Sequence, residues 1–117
     1  MKPSPETEEK AAMQAAYVGH VEILKYFVEE RKISEEVKIT CVATAAKYGQ
    51  IDCLKYLVEE ANVPLNDWEE IAWARYKEQH DCLNYLLEKG CPEPTDEEYA
   101  WFVEQCDWFV EQKRLTT

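Results

Sequence analysis

The hydrophobic pattern of this chain is helical, and the same pattern occurs three times. Apolar side chains at positions 21, 24, 27 and 28 fall on one face of a helix, and similar stripes begin at Ile51 and at Cys82. The surrounding blocks read AAYVGHVEILKYFVEE at 15–30, AAKYGQIDCLKYLVEE at 45–60 and ARYKEQHDCLNYLLE at 74–88. A step of about 30 residues predicts a stack of similar units with an extended surface, in place of one closed core around a pocket.

Each block is predicted to form two antiparallel helices joined by a tight turn. In the first block, Ser4 followed by Pro5 is a favourable helix start, and Gly19 interrupts the helical pattern. In the second block, Ser34 is a candidate N-cap and Gly49 marks the turn. The two blocks therefore predict four helices in the first half of the chain.

The third block carries the clearest predicted helix start. Asn66 lies three residues before Glu69, the spacing of a capping box, in which side chains bond the free backbone groups of the first turn. Gly90 is a good helix stop. Thr95 and Glu98 have the same capping-box spacing, so a further helix is predicted to begin there.

The segment after Thr95 admits two interpretations. WFVEQ occurs at 101–105 and at 108–112, and a shift of about two helical turns makes both copies face the same way. The segment is either one capping helix over 96–113 or a short fourth pair, because CDWFVEQ is similar to CLKYLVEE of the second block. The lack of Gly and Pro between 95 and 113 favours the single helix.

These patterns predict an all-α fold, an α-solenoid of stacked antiparallel helix pairs with three repeats and a C-terminal capping helix. The expected divisions are a disordered N-terminus at 1–4, repeats at 5–33, 34–63 and 64–91, and a cap or partial fourth repeat at 92–117.

The shared pattern A-A-x-x-G-[HQ]-[VI]-[ED]-x-L-K-Y resembles the ankyrin repeat. Gly19-His20 matches the Gly-His that joins the paired helices in that family, and Gly49 keeps the glycine. Thr40 stands where the threonine that opens the first helix would fall. The resemblance covers roughly residues 8–90, and it implies a protein-interaction module that binds through the concave face of the first helices.

Departures from the ankyrin pattern predict a short variant. The period of about 30 is below the usual 33 residues, and the missing residues fall where the family places its β-hairpin fingers. Lys10 and Glu69 replace the opening threonine, and Glu78 stands at the turn glycine of the third repeat. A side chain is unfavourable where the backbone needs a positive φ, so we expect distortion in the third repeat.

The resemblance also implies which side chains contact a partner. Tyr17, Tyr48, Trp73 and Tyr76 are large aromatics at nominally exposed positions, and aromatics are enriched at binding hot spots. The alternative interpretation is that they pack against the adjacent repeat. The recurring Tyr26, Tyr56 and Tyr85 are instead expected to be structural. The expected partner-binding set is Gln14, Tyr17, Val18, Thr44, Lys47, Tyr48, Trp73, Tyr76 and Lys77.

Charge and cysteine content narrow the class of partner. The net charge of −11, from 24 acidic and 13 basic residues, argues against nucleic-acid binding and favours solubility, with a basic protein partner as a further expectation. The chain has five cysteines, an odd number that cannot all pair within one molecule, and Cys53 and Cys82 occupy equivalent repeat positions, which is typical of small core residues. We therefore expect free thiols and an intracellular protein. No secretory signal or membrane span is expected, and we expect a monomer.

No chemistry-bearing motif accompanies the repeats. His80 and Cys82 lie close in sequence, and the repeat pattern allows Cys53 on the adjacent helix, but the paired spacings typical of zinc ligands are missing. We therefore expect no metal, cofactor or catalytic residue. The remaining alternative to a binding module is a structural role as a fragment or cap of a longer array, although Glu6, Glu8 and Lys10 make the first helix polar enough for a terminal cap.

Overall fold

The computed structural model describes the backbone of residues 5–116 and the side chains of residues 6–108. Within that range the fold is an all-helical solenoid without strands, as predicted. Three helix pairs are followed by one C-terminal helix, and α4 continues directly into a π-helical turn, Tyr56–Glu60. The helices are α1 Pro5–Val18, α2 Val21–Glu29, α3 Glu35–Lys47, α4 Ile51–Lys55, α5 Glu69–Tyr76, α6 His80–Glu88 and α7 Asp96–Thr116.

The first helix of each pair packs on the first helix of the next, so α1, α3 and α5 form one row. Small side chains at this contact let the backbones approach closely, and Ala15, Ala16, Ala45 and Ala46 are all buried. Leu24 and the equivalent leucines Leu54 and Leu83 of the other second helices pack into the core. The repeated stripe of the sequence is therefore the continuous core of the stack.

The turn inside each pair has the same left-handed backbone. The φ angles are 84° at Gly19, 72° at Gly49 and 57° at Glu78. A Cβ at Gly19 would also collide with the side chain of Gln50 in the next repeat, whose Nε2 donates to the Tyr17 carbonyl at 3.0 Å. The positive φ thus favours glycine at the first two turns, and a Cβ there would also displace the end of the glutamine side chain from the next repeat.

The expected distortion of the third repeat is wrong. Glu78 takes up the same left-handed turn as the two glycines, and Gln79 after it has φ −88° and ψ 81°, almost identical to Gln50. The Glu78 side chain is exposed, so its cost is backbone strain at a conformation that disfavours a Cβ. The packing of α5 against α6 therefore determines the backbone of this turn, and Glu78 adopts the left-handed conformation although it is not a glycine.

The predicted disordered N-terminus at 1–4, with its Ser4 cap, lies outside the described residues. Two of the other three proposed helix caps are present. The Ser34 hydroxyl accepts a hydrogen bond from the Val37 amide at 3.3 Å. At the start of α7, the Glu98 amide donates to the Thr95 hydroxyl at 3.1 Å, and the Thr95 amide donates to the Glu98 carboxylate at 2.9 Å. Both halves of this capping box are made, as its sequence spacing predicts.

The capping box predicted at Asn66 is wrong. Helix α5 begins at Glu69, so its N-cap is Trp68 and Asn66 lies outside the first turn. The Glu69 amide is satisfied by Asp67, whose carboxylate accepts its hydrogen bond at 3.2 Å. Spacing to a glutamate identifies a cap only if the helix starts at the expected residue.

Helix α7 is continuous through both WFVEQ copies, which decides between the two sequence interpretations in favour of a single helix. It packs against α5. Phe102 is its buried anchor, with its ring centroid 6.1 Å from that of Trp68 and 4.8 Å from that of Trp73. The C-terminal helix therefore lies across the end of the first-helix row.

The recurring tyrosines link one repeat to the one before it. The Tyr85 hydroxyl donates to Glu59 at 2.6 Å, and Tyr56 lies close to Glu29, the equivalent of Glu59. The pKa of Tyr56 is raised to about 12, first by burial and then by the adjoining carboxylates Glu29 and Glu60. Tyr26 is an exception to the structural interpretation, because it is 50% exposed while Tyr56 and Tyr85 are 5% and 7% exposed.

Candidate functional site

The nine residues expected to bind a partner lie in the C-terminal halves and the ends of α1, α3 and α5, which we call the first-helix face. Gln14, Tyr17 and Val18 of the first pair are exposed, as are Tyr48 and Lys77. Thr44, Lys47, Trp73 and Tyr76 are half-buried. The face is thus most open at the first pair and more covered at the second and third.

Tyr17 and Tyr48 form an open aromatic pair across the first two repeats. Their ring centroids are 4.3 Å apart at an interplanar angle of 73°, an edge-to-face contact. Both side chains remain exposed although each covers part of the other. They form a rigid apolar patch that water contacts freely.

Trp73 is held between a cation and a ring. The Lys47 ammonium lies 4.1 Å from the indole centroid on one side, and Phe102 of α7 packs edge-on at 84°. The tryptophan therefore has a fixed orientation, and part of its surface is already covered by α7. Trp73 therefore agrees in part with the alternative interpretation, in which the aromatic side chains of the first helices pack within the fold.

Tyr76 is fixed by the same helix. Its hydroxyl donates to the Asp107 carboxylate at 3.0 Å, and its ring lies 6.3 Å from that of Phe102. Partial burial raises the pKa of Tyr76, and the hydrogen bond from its hydroxyl to Asp107 adds to the effect. The phenol thus stays protonated and serves as a donor to α7.

A pocket of about 460 Å³ opens where α3, α5 and α7 meet. A volume of this size suits one or more large side chains of a partner or a small ligand. Four of its lining residues belong to the expected set, and Trp101, Phe102, Gln105 and Cys106 come from α7. The lining residues are Lys47, Glu69, Trp73, Tyr76, Lys77, Trp101, Phe102, Gln105 and Cys106.

The contribution of α7 to this pocket was missed by sequence reasoning. The doubled WFVEQ showed that Trp101 and Trp108 share a helix face, and both are indeed exposed. It did not show that Phe102 would pack on Trp73, because that contact depends on where α7 lies relative to α5. The sequence signal that could have revealed this contact is the WFVEQ motif, in which two adjacent aromatics point to different sides of the helix. Phe102 is the buried one and Trp101 the exposed one.

Glu70 is a buried carboxyl at the start of α5. It is 3% exposed, and one of its carboxylate oxygens has no hydrogen-bond partner. Its pKa is raised to about 7, chiefly by burial and to a lesser extent by the neighbouring Asp67 and Glu69, against a backbone hydrogen bond that lowers it. It faces the core beside Cys91, away from the pocket, so it bears on stability and not on binding.

The described part of the chain offers no metal site or membrane span. No group of three His, Cys, Asp or Glu side chains among the described residues is placed to hold a metal ion. None of the described helices combines the length and the apolar character needed to cross a bilayer. All five cysteines are free thiols, and Cys106 differs from the other four in being only half-buried.

Fold and surface together define a stacked-repeat protein with an open aromatic face. The model of the ankyrin repeats matches residues 12–97 in three copies, and the chain belongs to this family. Comparison with curated proteins and with solved structures gave no match. Ankyrin repeats are generally protein–protein interaction modules, and the family consists typically of scaffolds without catalytic activity.

Proposed function

We propose that the protein binds one protein partner through its first-helix face. The observation that carries this proposal is the exposed pair Tyr17 and Tyr48, which remains open on adjacent repeats. A rigid aromatic pair loses little side-chain entropy on binding, and buried aromatics carry much of the affinity at protein interfaces. Trp73 and Tyr76, held in place by Lys47 and Phe102, extend the same surface toward the pocket.

Charge supports a partner with a basic region. The chain carries a net charge of −11, and acidic residues are dense from Glu88 onward, including the exposed Glu97 and Glu104. An acidic surface beside an aromatic one raises the association rate of a basic partner without supplying most of the affinity. We propose further that the chain acts as a monomer and, because its thiols are free, inside the cell.

A differential capture experiment tests the binding face. Immobilised wild-type protein, the double variant Tyr17→Ala/Tyr48→Ala and the control Ile39→Ala are exposed to the same native lysate. Ile39 is a suitable control because it is an exposed apolar residue of α3 outside the expected set. Proteins retained by wild type and control but lost from the double variant support the proposal. Equal capture by all three would show that the affinity lies elsewhere.

A second role, stacking against a further repeat, is favoured by one observation. Ile23 and Tyr26 on α2 are exposed, whereas the equivalent Cys53 and Tyr56 of the second pair are buried by the pair before them. The outer side of α2 is thus built like an inter-repeat surface, although α1 beside it is polar at Glu6 and Lys10. The same apolar surface could take up another helix pair of this kind.

The stacking role is tested by adding a repeat. A copy of residues 34–63 joined ahead of the chain should raise the melting temperature and protect a cysteine placed at Ile23 from alkylation. The same fusion carrying Tyr26→Ala should lose part of that gain. If the added repeat leaves both the melting temperature and the labelling unchanged, the outer side of α2 is not a stacking surface.

A further inference from the structure

The pocket between α3, α5 and α7 brings two lysines together with four aromatic rings. Lys47 and Lys77 both line it, and within residues 6–108 neither forms an ion pair with a carboxylate. Other lysines in this range also lack an ion pair, so what distinguishes these two is that both line one aromatic pocket. These two pocket lysines have therefore kept their charge available at a site surrounded by aromatic rings.

Their positions are fixed by those rings. The Lys47 ammonium lies 4.1 Å from the Trp73 centroid and 5.3 Å from that of Tyr48, and the Lys77 ammonium lies 5.7 Å from that of Tyr76. Burial raises the pKa of Cys106, while the charges of Lys47 and Lys77 lower it and that of Asp107 raises it, so both lysines and this carboxylate lie close to the same thiol. Two cations thus converge on one end of the pocket.

Two carboxylates lie near these lysines, and one of them lines the pocket. Glu69 lines the pocket at the amino end of α5, where the helix dipole favours a negative charge. Asp107 accepts the hydrogen bond of Tyr76 and is not among the lining residues. Most of the remaining acidic side chains are exposed to solvent, where charges more than about 8 Å apart are largely screened at physiological salt. The pocket lining therefore carries two cations against one carboxylate, which favours an entering negative charge.

We propose that the partner segment seated in this pocket carries a large apolar side chain next to an aspartate or glutamate. The apolar side chain fits against Trp73, Trp101 and Phe102, and the carboxylate meets Lys47 and Lys77. The inference rests on the proposed function, since it names the chemistry of the segment that occupies the third-repeat end of the first-helix face. A basic region elsewhere in the partner would still be drawn by the acidic surface, so the two charges would orient the partner.

Peptide display tests this chemistry without a known partner. Randomised 12-residue peptides displayed on phage are selected on the whole chain, and in parallel on Lys47→Glu/Lys77→Glu and on the control Lys25→Glu/Lys55→Glu. Lys25 and Lys55 suit the control because they line a different hollow, on the second helices. We expect peptides from wild type and control to share an aromatic or aliphatic residue beside an acid, and peptides from the pocket variant to lose the acid or replace it with a base.

A synthetic peptide of the selected sequence then measures the charge pairing. Replacing its acid by the matching amide should weaken binding about fivefold, the size expected for a half-exposed ion pair, and the effect should vanish in Lys47→Gln/Lys77→Gln. Lys47→Arg, which keeps the charge, should retain the preference. Circular dichroism of each variant checks that the helices are intact.

Cys106 reports whether the peptide occupies the pocket, since it lines the pocket and is the one half-buried thiol among the five cysteines. Peptides that slow its alkylation and depend on Tyr48, but show no preference for an acid, would overturn the inference and leave the proposed function standing. If the selection yields no peptide that protects Cys106 or responds to Tyr48→Ala, both the inference and the proposed function are wrong.

Discussion

At the scale of single residues, Glu78 is a glutamate in a backbone conformation suited to glycine. Its φ of 57° matches the turns at Gly19 and Gly49, and its side chain is exposed and takes part in no ion pair among the described residues. Glu78→Gly should therefore raise the free energy of unfolding, by up to about 1 kcal/mol, because relief of left-handed strain exceeds the entropy that glycine adds to the unfolded chain. Urea denaturation measures the change.

A matched control for this prediction is Gly49→Ala. Alanine there combines the unfavourable positive φ with a collision against Gln79, so it should lower stability by more than glycine at position 78 raises it. A loss of stability in Glu78→Gly would show that the glutamate side chain makes a compensating interaction, and the account of the third turn as strained would be wrong.

Glu70 predicts an unusual dependence of stability on pH. Burial raises the pKa of its carboxyl to about 7 from an unfolded value near 4.5, so the folded protein binds an extra proton between those values. The contribution of this group is complete below pH 4.5 and is lost as the pH rises through 7. Glu70→Gln should raise stability at pH 8 by roughly 1–3 kcal/mol and have much less effect at pH 5.

Chemical denaturation of wild type and Glu70→Gln at both pH values measures this difference. Glu69→Gln is the control, because its carboxyl is exposed and neighbours Glu70 in the same turn. If the stability gain of Glu70→Gln is the same at pH 5 and pH 8, the carboxyl is not titrating in this range and its burial is relieved in solution.

At the scale of elements, Phe102 is the central buried contact between α7 and α5, beside the hydrogen bond from Tyr76 to Asp107. Phe102 contacts Trp68, Trp73 and Tyr99 and is buried, whereas its neighbour Trp101 is exposed. Phe102→Ala should release α7 locally and cost about 2–4 kcal/mol, near the lower range for a buried phenylalanine because the site lies at the end of the stack. Amide hydrogen exchange should show protection lost in α7 and kept in α3.

Trp101→Ala is the matched control on the same helix. Because the indole is exposed, this change should leave the exchange pattern of α7 within the range of a surface substitution, about 0.5 kcal/mol. Equal loss of protection in both variants would mean that α7 is held by its overall hydrophobicity and not by the Phe102 contact.

The elements also show what a sequence of this kind can predict. The 30-residue period and the stripes beginning at Val21, Ile51 and Cys82 depend on local helical geometry, and they predicted the helix pairs and the core. The Asn66 cap failed because a helix start depends on packing as well as on side-chain spacing. The π-turn after α4 has no sequence signal that we recognise.

For the candidate site, the repeat period predicted that Tyr17, Tyr48, Trp73 and Tyr76 lie on or at the ends of the first helices. A period alone does not predict which of these side chains a distant part of the chain covers. The cover of Trp73 by Phe102 is a contact between residues far apart in the chain, and its geometry follows from the docking of α7. The exposure of Tyr26 also depends on a contact between repeats, because no helix pair of the described chain covers it as α2 and α4 cover Tyr56 and Tyr85. A residue repeated in every unit is structural only where a neighbouring unit covers it.

At the scale of the whole molecule, the exposed aromatic pair of Tyr17 and Tyr48 and the acidic residues of α7 lie on different parts of the fold, and we expect them to affect different rate constants of binding. Tyr48→Ala should act mainly on the dissociation rate, because loss of a desolvated aromatic contact costs about 2 kcal/mol, roughly thirtyfold in affinity. Charge reversal at Glu97 and Glu104 should act mainly on the association rate toward a basic partner, since long-range attraction steers encounter. Glu98 is unsuitable for this test, because its carboxylate caps α7.

Surface plasmon resonance with a captured partner at two salt concentrations separates these effects. High salt should slow association of wild type and leave the Glu97→Lys/Glu104→Lys variant nearly unchanged, because added salt screens a steering force that the variant has already lost. Tyr48→Ala should keep the salt dependence of wild type while dissociating faster. If instead Tyr48→Ala is neutral and the charge variant abolishes binding at both salt concentrations, the interface is electrostatic, lies on the acidic surface, and does not include the first-helix face.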